Sequence, residues 1–144
     1  MDDLKQNKIR EIAQELDCGN DCYYNSKTEE IIAIPNSLDL YDEEELEELF
    51  GDFYEKINHE NSDYIKFEVL ESFESFKIME HFTEQIPDPR FKWKLEDILQ
   101  RKKPFQNFKN SIDNSDYRQD WFDFKQSELE KIVKLRYQRA KDCE

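Results

Sequence analysis

The apolar residues of this chain change their spacing near residue 70, and this change constrains the fold more than any other feature. Before it, helical and strand-like patterns alternate, and Tyr64 to Val69 places every second side chain on one apolar face, as in a half-buried strand. After it, the apolar residues recur at helical spacing. The pattern predicts an α+β fold whose second part, residues 71–144, is entirely helical.

In the first part, residues 1–70, the sequence predicts a helix, a hairpin, an acidic helix and a third strand. An amphipathic stripe predicts the first helix over residues 3–17, and two short strands, 22–24 and 31–34, form the hairpin. The acidic helix begins behind Asp42, with Glu45 placed as in a capping box. Its apolar stripe, which we expect to face the core, consists of Leu46, Leu49, Phe50, Phe53 and Ile57. The hairpin and third strand predict a small antiparallel sheet.

Four helices are predicted in residues 71–144. Asp88-Pro89 and Pro104 mark the starts of the second and third, and the fourth runs from Ser115 to about Ala140. The apolar residues expected to face inward from the first and third are Phe73, Phe76, Met79, Phe82 and Ile86, then Phe105, Phe108 and Ile112. About five to six helices thus pack with the sheet. Because no internal repeat or linker is visible, we expect one domain over residues 1–144.

The charged residues are unevenly distributed along the chain. The formal net charge is −14, with −13 in residues 1–60, −4 in 61–100 and +3 in 101–144. A net charge this negative repels polyanions at long range, which disfavours nucleic acid and anionic lipid as partners. It leaves a protein partner or self-association open.

The acidic helix contains a candidate interaction face, Glu43, Glu44, Glu47 and Glu48. Carboxylates in the first turn complement the helix dipole. The like-charge pairs Glu43 with Glu47 and Glu44 with Glu48, four residues apart, oppose local stability. The face is either a solvated surface or a docking surface for a basic partner.

No catalytic constellation is recognisable. Gly19 and Gly51 are the only glycines, which excludes a phosphate-binding loop and a dinucleotide fingerprint. Cys18 and Cys22 either hold a metal or redox site or, as we favour, flank a turn as reduced thiols; the total with Cys143 is odd. We therefore expect no catalytic residue, metal or cofactor. With neither a signal-peptide pattern nor an apolar span of about 20 residues, we expect a cytoplasmic protein without a membrane segment.

The C-terminal third interleaves basic and aromatic residues, a mixture that binds single-stranded nucleic acids by stacking and phosphate contact. The other interpretation is a packed core with a basic rim. The candidate binding residues are Lys102, Lys103, Phe105, Lys109, Arg118 and Trp121.

The same residues carry a family resemblance. Lys103-Pro104-Phe105, Phe108-Lys109, Arg118 and Trp121-Phe122 resemble the C-terminal signature of uncharacterised protein family 0158, found mainly in bacteria. Tyr23-Tyr24 with Ile31 to Ile34 is similar to that family's N-terminal hairpin, and Met79 to Ile86 to its central helix. The resemblance covers about residues 22–137, although the hairpin turn Asn25 to Thr28 lacks the expected glycine.

The resemblance implies a small bacterial cytoplasmic α+β protein and names no substrate. From the residues, the first hypothesis is a non-catalytic protein-interaction or regulatory module. The second is nucleic-acid binding through the basic and aromatic C-terminal third. A small-molecule enzyme ranks last, since nothing in the sequence singles out particular acids. A cavity on which Arg118, Lys109 and Trp121 converge beside a carboxylate would revive it.

Overall fold

The computed structural model describes residues 4–36, 41–59 and 63–142. These residues form one three-stranded antiparallel sheet and six helices, and 68% of them are helical. The predicted α+β fold with a helical second part is confirmed. Within the described ranges, no helix is long and apolar enough to cross a membrane. The elements are α1 (Gln6–Asp17), β1 (Asn20–Asn25), β2 (Ile31–Pro35), α2 (Glu43–His59), β3 (Tyr64–Phe67), α3 (Ser72–Glu84), α4 (Pro89–Gln100), α5 (Pro104–Asp113) and α6 (Arg118–Asp142).

The chain divides into two compact units near the point where the apolar spacing changes. The first unit contains Met1–Val69 and Leu129–Glu144, and the second contains Leu70–Glu128. Helix α6 therefore contributes residues to both. The first unit holds the whole sheet, and the second is helical.

Strand β1 lies in the centre of the sheet, in the order β2-β1-β3. Cys22 is opposite both Ala33 and Phe67, and directly opposed residues of antiparallel strands point to the same face. On this face Cys22 and Phe67 are fully buried, and the Cys22 Sγ donates a hydrogen bond to the Ile12 carbonyl of α1. The neighbouring Tyr24 packs edge-on against Tyr137 of α6, with 6.3 Å between ring centroids. Helices α1 and α6 thus pack on this face of the sheet.

The hairpin turn replaces the missing glycine with a buried side chain. The Asn25 Oδ1 accepts hydrogen bonds from the backbone N–H groups of Lys27 and Thr28, at 2.8 and 3.0 Å. Glu29 adopts the left-handed conformation, with φ of 65°, and its N–H donates to the Asn25 carbonyl. Asparagine side chains commonly stabilise turns in this way. The departure from the family pattern is therefore accommodated by Asn25.

Three predicted boundaries are wrong by a few residues, each for a local reason. The first helix begins at Gln6 because Lys5 has extended backbone angles; residue 3 lies outside the described residues. Strand β3 ends at Phe67, and the N–H of Val69 donates to the Asp21 carboxylate instead of to a strand partner. Helix α6 begins at Arg118 rather than Ser115, whose hydroxyl donates to the Ile112 carbonyl and accepts from the Tyr117 N–H.

The core of the second unit is aromatic. The Trp121 ring lies 5.3 Å from Phe82 and 5.1 Å from Phe108, measured between centroids. Phe91 stacks on Tyr117 at 5.2 Å. Aromatic pairs in such geometries contribute about 0.5–1.5 kcal/mol beyond their area burial, so these rings supply much of the packing.

Two side chains predicted to face this core are exposed instead. Phe73 is 60% exposed and Phe105 is 43% exposed. Each step of three residues is about 60° short of a full helical turn, so three steps place Phe73 on the opposite side of α3 from Phe82. Phe105 stands one such step before the buried Phe108. The predicted stripe was wrong at Phe73 because the i, i+3 spacing was extended too far along α3. Phe105, the second residue of α5, is seven residues before the fully buried Ile112 and almost in phase with it, so helical spacing does not explain its exposure.

Gly51, within α2, provides a test of local helix stability. We expect Gly51→Ala to raise the free energy of unfolding by about 0.5–1 kcal/mol, because glycine lowers helix stability by that amount relative to alanine. The new Cβ would lie 2.7 Å from the Glu47 Oε1, the end of a flexible exposed side chain that can move away. Urea denaturation followed by circular dichroism measures the change.

The matched control is Gly19→Ala. Gly19 has φ of +89°, and no atom lies within 4 Å of the place a Cβ would take, so only backbone strain opposes the substitution. We expect a loss of about 1–2 kcal/mol. Equal effects at the two glycines would contradict this account.

Candidate interaction surfaces

Helix α2 has no buried residue, although its apolar stripe was predicted to face the core. Leu46, Phe50 and Ile57 are half-buried, but Leu49 is 52% exposed and Phe53 is 43% exposed. The prediction is wrong for these last two because the apolar stripe is wider than the part of the helix that is covered. Leu49 and Phe53 are four residues apart and thus adjacent on the helix surface.

A few specific contacts hold α2 in the first unit. The Asp42 carboxylate accepts a hydrogen bond from the Glu45 N–H at 2.8 Å, which confirms the predicted cap. The Lys56 Nζ lies 2.7 Å from the Glu30 Oε1 beside the hairpin turn. Partial burial raises the pKa of the Tyr54 phenol, with the phenol of Tyr23 on β1 adding to the effect. The cap stabilises the helix itself, and α2 is held in the first unit by the ion pair of Lys56 and by half-buried side chains, none of them fully buried.

Carboxylates line one side of the exposed apolar pair. Glu45 and Asp52 stand four residues before and three residues after Leu49, which places both next to it on the helix surface. Glu48 completes the row, three residues after Glu45 and four before Asp52. All three are exposed, and none forms an ion pair with any residue that the structure describes. We call Leu49, Phe53 and these three acids the α2 face.

The acidic face predicted from the sequence only partly overlaps the α2 face. Glu43, Glu44, Glu47 and Glu48 are all exposed, as a candidate surface requires. By helical spacing, however, Glu43, Glu44 and Glu47 lie on the side of α2 away from Leu49, and only Glu48 borders the apolar pair. Sequence reasoning missed Glu45 and Asp52 because it treated Leu49 as a core residue.

The residues predicted to bind in the C-terminal third do not form one surface of free side chains. Lys102, Lys103 and Lys109 are exposed, and so is Arg118, whose Nε lies 3.5 Å from the Asp113 Oδ1. Trp121 is only 8% exposed. Its ring contacts Phe82 and Phe108, so it is a core residue and is not free to stack on a base.

Phe105, in contrast, lines a surface groove in the second unit. The groove has a volume of about 350 Å³ and is lined by Ser72, Phe73, Phe76, Lys77, Glu80 and Phe105. The rings of Phe76 and Phe105 meet edge-on at 6.4 Å. We call this feature the α3–α5 groove.

A cavity of about 250 Å³ between α3 and α4 holds three carboxylates, Glu80, Glu84 and Glu96. Arg118, Lys109 and Trp121 are not among its lining residues. The convergence that a small-molecule enzyme would need does not occur at this cavity.

The two described cysteines differ in environment. Cys18 is exposed and Cys22 is buried, and both are free thiols. Burial, with smaller effects from Glu15, Asp21 and Glu11, raises the pKa of the Cys22 thiol to about 12. Over the described residues, no group of three or more His, Cys, Asp or Glu side chains is arranged to hold a metal ion.

The fold and surfaces describe a small α+β protein with an acidic, partly uncovered helix and an aromatic helical unit. The chain belongs to an uncharacterised protein family, UPF0158, whose model matches residues 4–143. This confirms the resemblance noted in the sequence and extends it to nearly the full length. No curated protein and no solved structure matches the sequence significantly.

Thiol reactivity tests the environment of the cysteines. Cys143 lies outside the described residues and is first replaced by Ser. In that variant we expect one thiol, Cys18, to react rapidly with an aromatic disulfide reagent at pH 8. The thiolate is the nucleophile, and burial both shields Cys22 from the reagent and raises the pKa of its thiol. Cys22 should react only after unfolding.

Adding Cys18→Ser should abolish the rapid phase while leaving the phase that follows unfolding. Two thiols reacting at equal rates in the folded protein would contradict the buried position of Cys22.

Proposed function

We propose that this protein is a non-catalytic interaction module whose α2 face binds a protein segment carrying both apolar and basic side chains. The observation that supports this is the exposure of Leu49 and Phe53 beside three unpaired carboxylates. The proposal includes a cytoplasmic location, with which the free thiols Cys18 and Cys22 agree.

The apolar pair supplies the affinity in this proposal. Fully burying a leucine or phenylalanine side chain contributes about 1.5–3 kcal/mol relative to leaving it exposed, and roughly half of each side chain is accessible on α2. Residues four apart on a helix are also the usual anchors when a helix contacts an apolar partner surface. A single exposed leucine would be unremarkable, but two adjacent large side chains on a helix without any buried residue indicate a surface available for packing.

The carboxylates supply the selectivity. Glu45, Glu48 and Asp52 favour lysine or arginine around the apolar contact and oppose an acidic partner. Lys56, the basic residue nearest to them on the helix, is already paired with Glu30. The local charge of the α2 face therefore stays negative, and association should weaken as salt screens it.

A pair of synthetic peptides tests the α2 face. We expect an amphipathic helical peptide of leucine and lysine to bind, and its counterpart with glutamate in place of lysine not to bind. Leu49→Ser should weaken binding about tenfold, because the lost apolar burial corresponds to about 1.4 kcal/mol. Fluorescence anisotropy of the labelled peptides measures both affinities.

Leu135→Ser is the matched control. Leu135 is 51% exposed, almost the same as Leu49, but lies on α6 with Lys131 and Arg139 four residues to either side. The Leu135→Ser variant should bind the peptide of leucine and lysine with the same affinity as the unmodified protein. If Leu135→Ser weakens binding as much as Leu49→Ser, or if both peptides bind equally, the α2 face is not the binding surface.

A second candidate function, single-stranded nucleic-acid binding, is favoured by one observation in the second unit. Trp93 is 79% exposed on α4, with the exposed cation Arg90 one helical turn before it and the carboxylates of Glu96 and Asp97 one turn after it. Its open indole ring, bordered by a cation on one side, offers a stacking platform, the role for which Trp121 is not available. Residues 70–128 carry 10 basic and 12 acidic side chains, so this unit repels a polyanion far less than the first unit does.

Salt dependence tests this candidate. If the second unit binds a single-stranded RNA of about 16 nucleotides, affinity should fall steeply between about 50 and 200 mM salt. Replacing Lys102, Lys103 and Lys109 with Ala should reduce the logarithmic salt slope by about 2, and Trp93→Ala should weaken binding with the slope unchanged. The absence of binding at 50 mM salt would end this candidate.

A further inference from the structure

We infer that the partner of the α2 face is a second copy of the same chain, which receives it in the α3–α5 groove. This inference rests on the proposed function of α2. The groove and the α2 face are both uncovered in the chain, and their chemistry is complementary.

The groove supplies the apolar half of the contact. Phe73 and Phe105 are the most accessible of its large side chains, at 60% and 43% exposed, and Phe76 lies between α3 and α5 with its ring against Phe105. Side chains of this size are rarely left so exposed next to one another without a partner. Leu49 and Phe53 present a matching pair of apolar groups.

The groove also has a basic surround. Lys77 lines it, Lys102 and Lys103 immediately precede the turn into α5, and Lys109 stands one helical turn after Phe105. Among the described residues, none of these four lysines forms an ion pair. In the lining itself Lys77 is balanced by one carboxylate, Glu80, and the adjoining cavity adds Glu84 and Glu96 toward α4. The basic side of the groove is therefore its α5 side, where Lys102, Lys103 and Lys109 lie.

The α2 face and the α3–α5 groove therefore have complementary charges, although both belong to the same chain. Among the described residues, the α2 face places three carboxylates without ion pairs beside its apolar pair, and the groove has one unpaired lysine in its lining and three more before and within α5, near Phe105. The first unit carries a net charge of −12, from 11 basic and 23 acidic residues, and the second carries −2. An association that brings the first unit of one copy against the second unit of another avoids the strongest repulsion, which would arise between two first units.

The inferred assembly is a twofold dimer in which both contacts are exchanged. Each copy offers one α2 face and one groove, and reciprocal exchange is the arrangement of two copies that fills both. In this arrangement each groove is occupied by the α2 face of the other copy, and no half of the contact remains open. We expect a dimer that dissociates on dilution and on addition of salt.

Sedimentation of charge-reversed variants tests the inference in the full chain, after nucleic acid has been removed. Glu45→Lys/Glu48→Lys/Asp52→Lys reverses the α2 face, and Lys77→Glu/Lys102→Glu/Lys109→Glu reverses the groove. Each variant alone should raise the dimer dissociation constant about tenfold or more, because each places like charges across both contacts. Circular dichroism confirms that the variants are folded.

An equimolar mixture of the two variants should recover the dimer, because both contacts then regain opposite charges. This recovery separates a direct contact from a general loss of stability, which mixing cannot restore. Leu49→Ser should weaken the dimer, whereas Leu135→Ser should not.

A monomer at all concentrations, or a dimer that neither reversal weakens, would overturn the inference. If the monomer still binds the leucine and lysine peptide through Leu49, the proposed function of α2 stands and its partner is a different basic protein. If that peptide also fails to bind, the proposed function fails as well.

Discussion

Strand β1 is the element on which the first unit depends, because it is bonded on both edges and packed through its side chains. Its backbone pairs with β2 and β3. Cys22 and Tyr24 carry contacts to α1 and α6, and Asn25 shapes the hairpin turn at the end of the strand. Asp21, also on β1, binds the segments that follow the other two strands. Its carboxylate accepts hydrogen bonds from the Val69 N–H after β3 and from the Asn36 side chain after β2. Each of these β1 residues contacts a different part of the first unit. One strand therefore connects many elements, although the sequence has few apolar residues.

Because the chain has few apolar residues, part of the apolar side of helix α2 is left uncovered. The start of the helix is capped by Asp42, an ion pair joins its Lys56 to Glu30, and none of its residues is buried. Exposed ion pairs contribute little stability, usually below about 1 kcal/mol. The helix therefore keeps apolar side chains at the surface. In the proposed function a partner covers them, and the neighbouring carboxylates favour a basic one.

The second unit separates residues that a sequence motif places together. Trp121 and Phe108 pack into the aromatic core, while Phe105 and the neighbouring lysines remain at the surface. Trp121 and Phe108 of the family signature are thus structural, and Phe105 of the same signature lines a groove. Conversely, Trp93, outside the signature, has the most exposed large ring among the described residues. The basic and aromatic motif predicts one binding site, but in the structure its residues are divided between the core and the surface.

The sequence by itself determined the α+β class, the order of helices and strands, the caps at Asp42 and Asp88 and the separation of charge along the chain. These properties depend on periodicity and on residues close in sequence, which the amino-acid order contains directly. Only the tertiary structure decided that Leu49, Phe53, Phe73 and Phe105 are exposed and that Trp121 is buried. An apolar stripe shows which side of a helix avoids water, but the number of neighbouring elements decides how much of that side is covered. Which side chains remain available to a partner therefore depends on packing between residues distant in sequence.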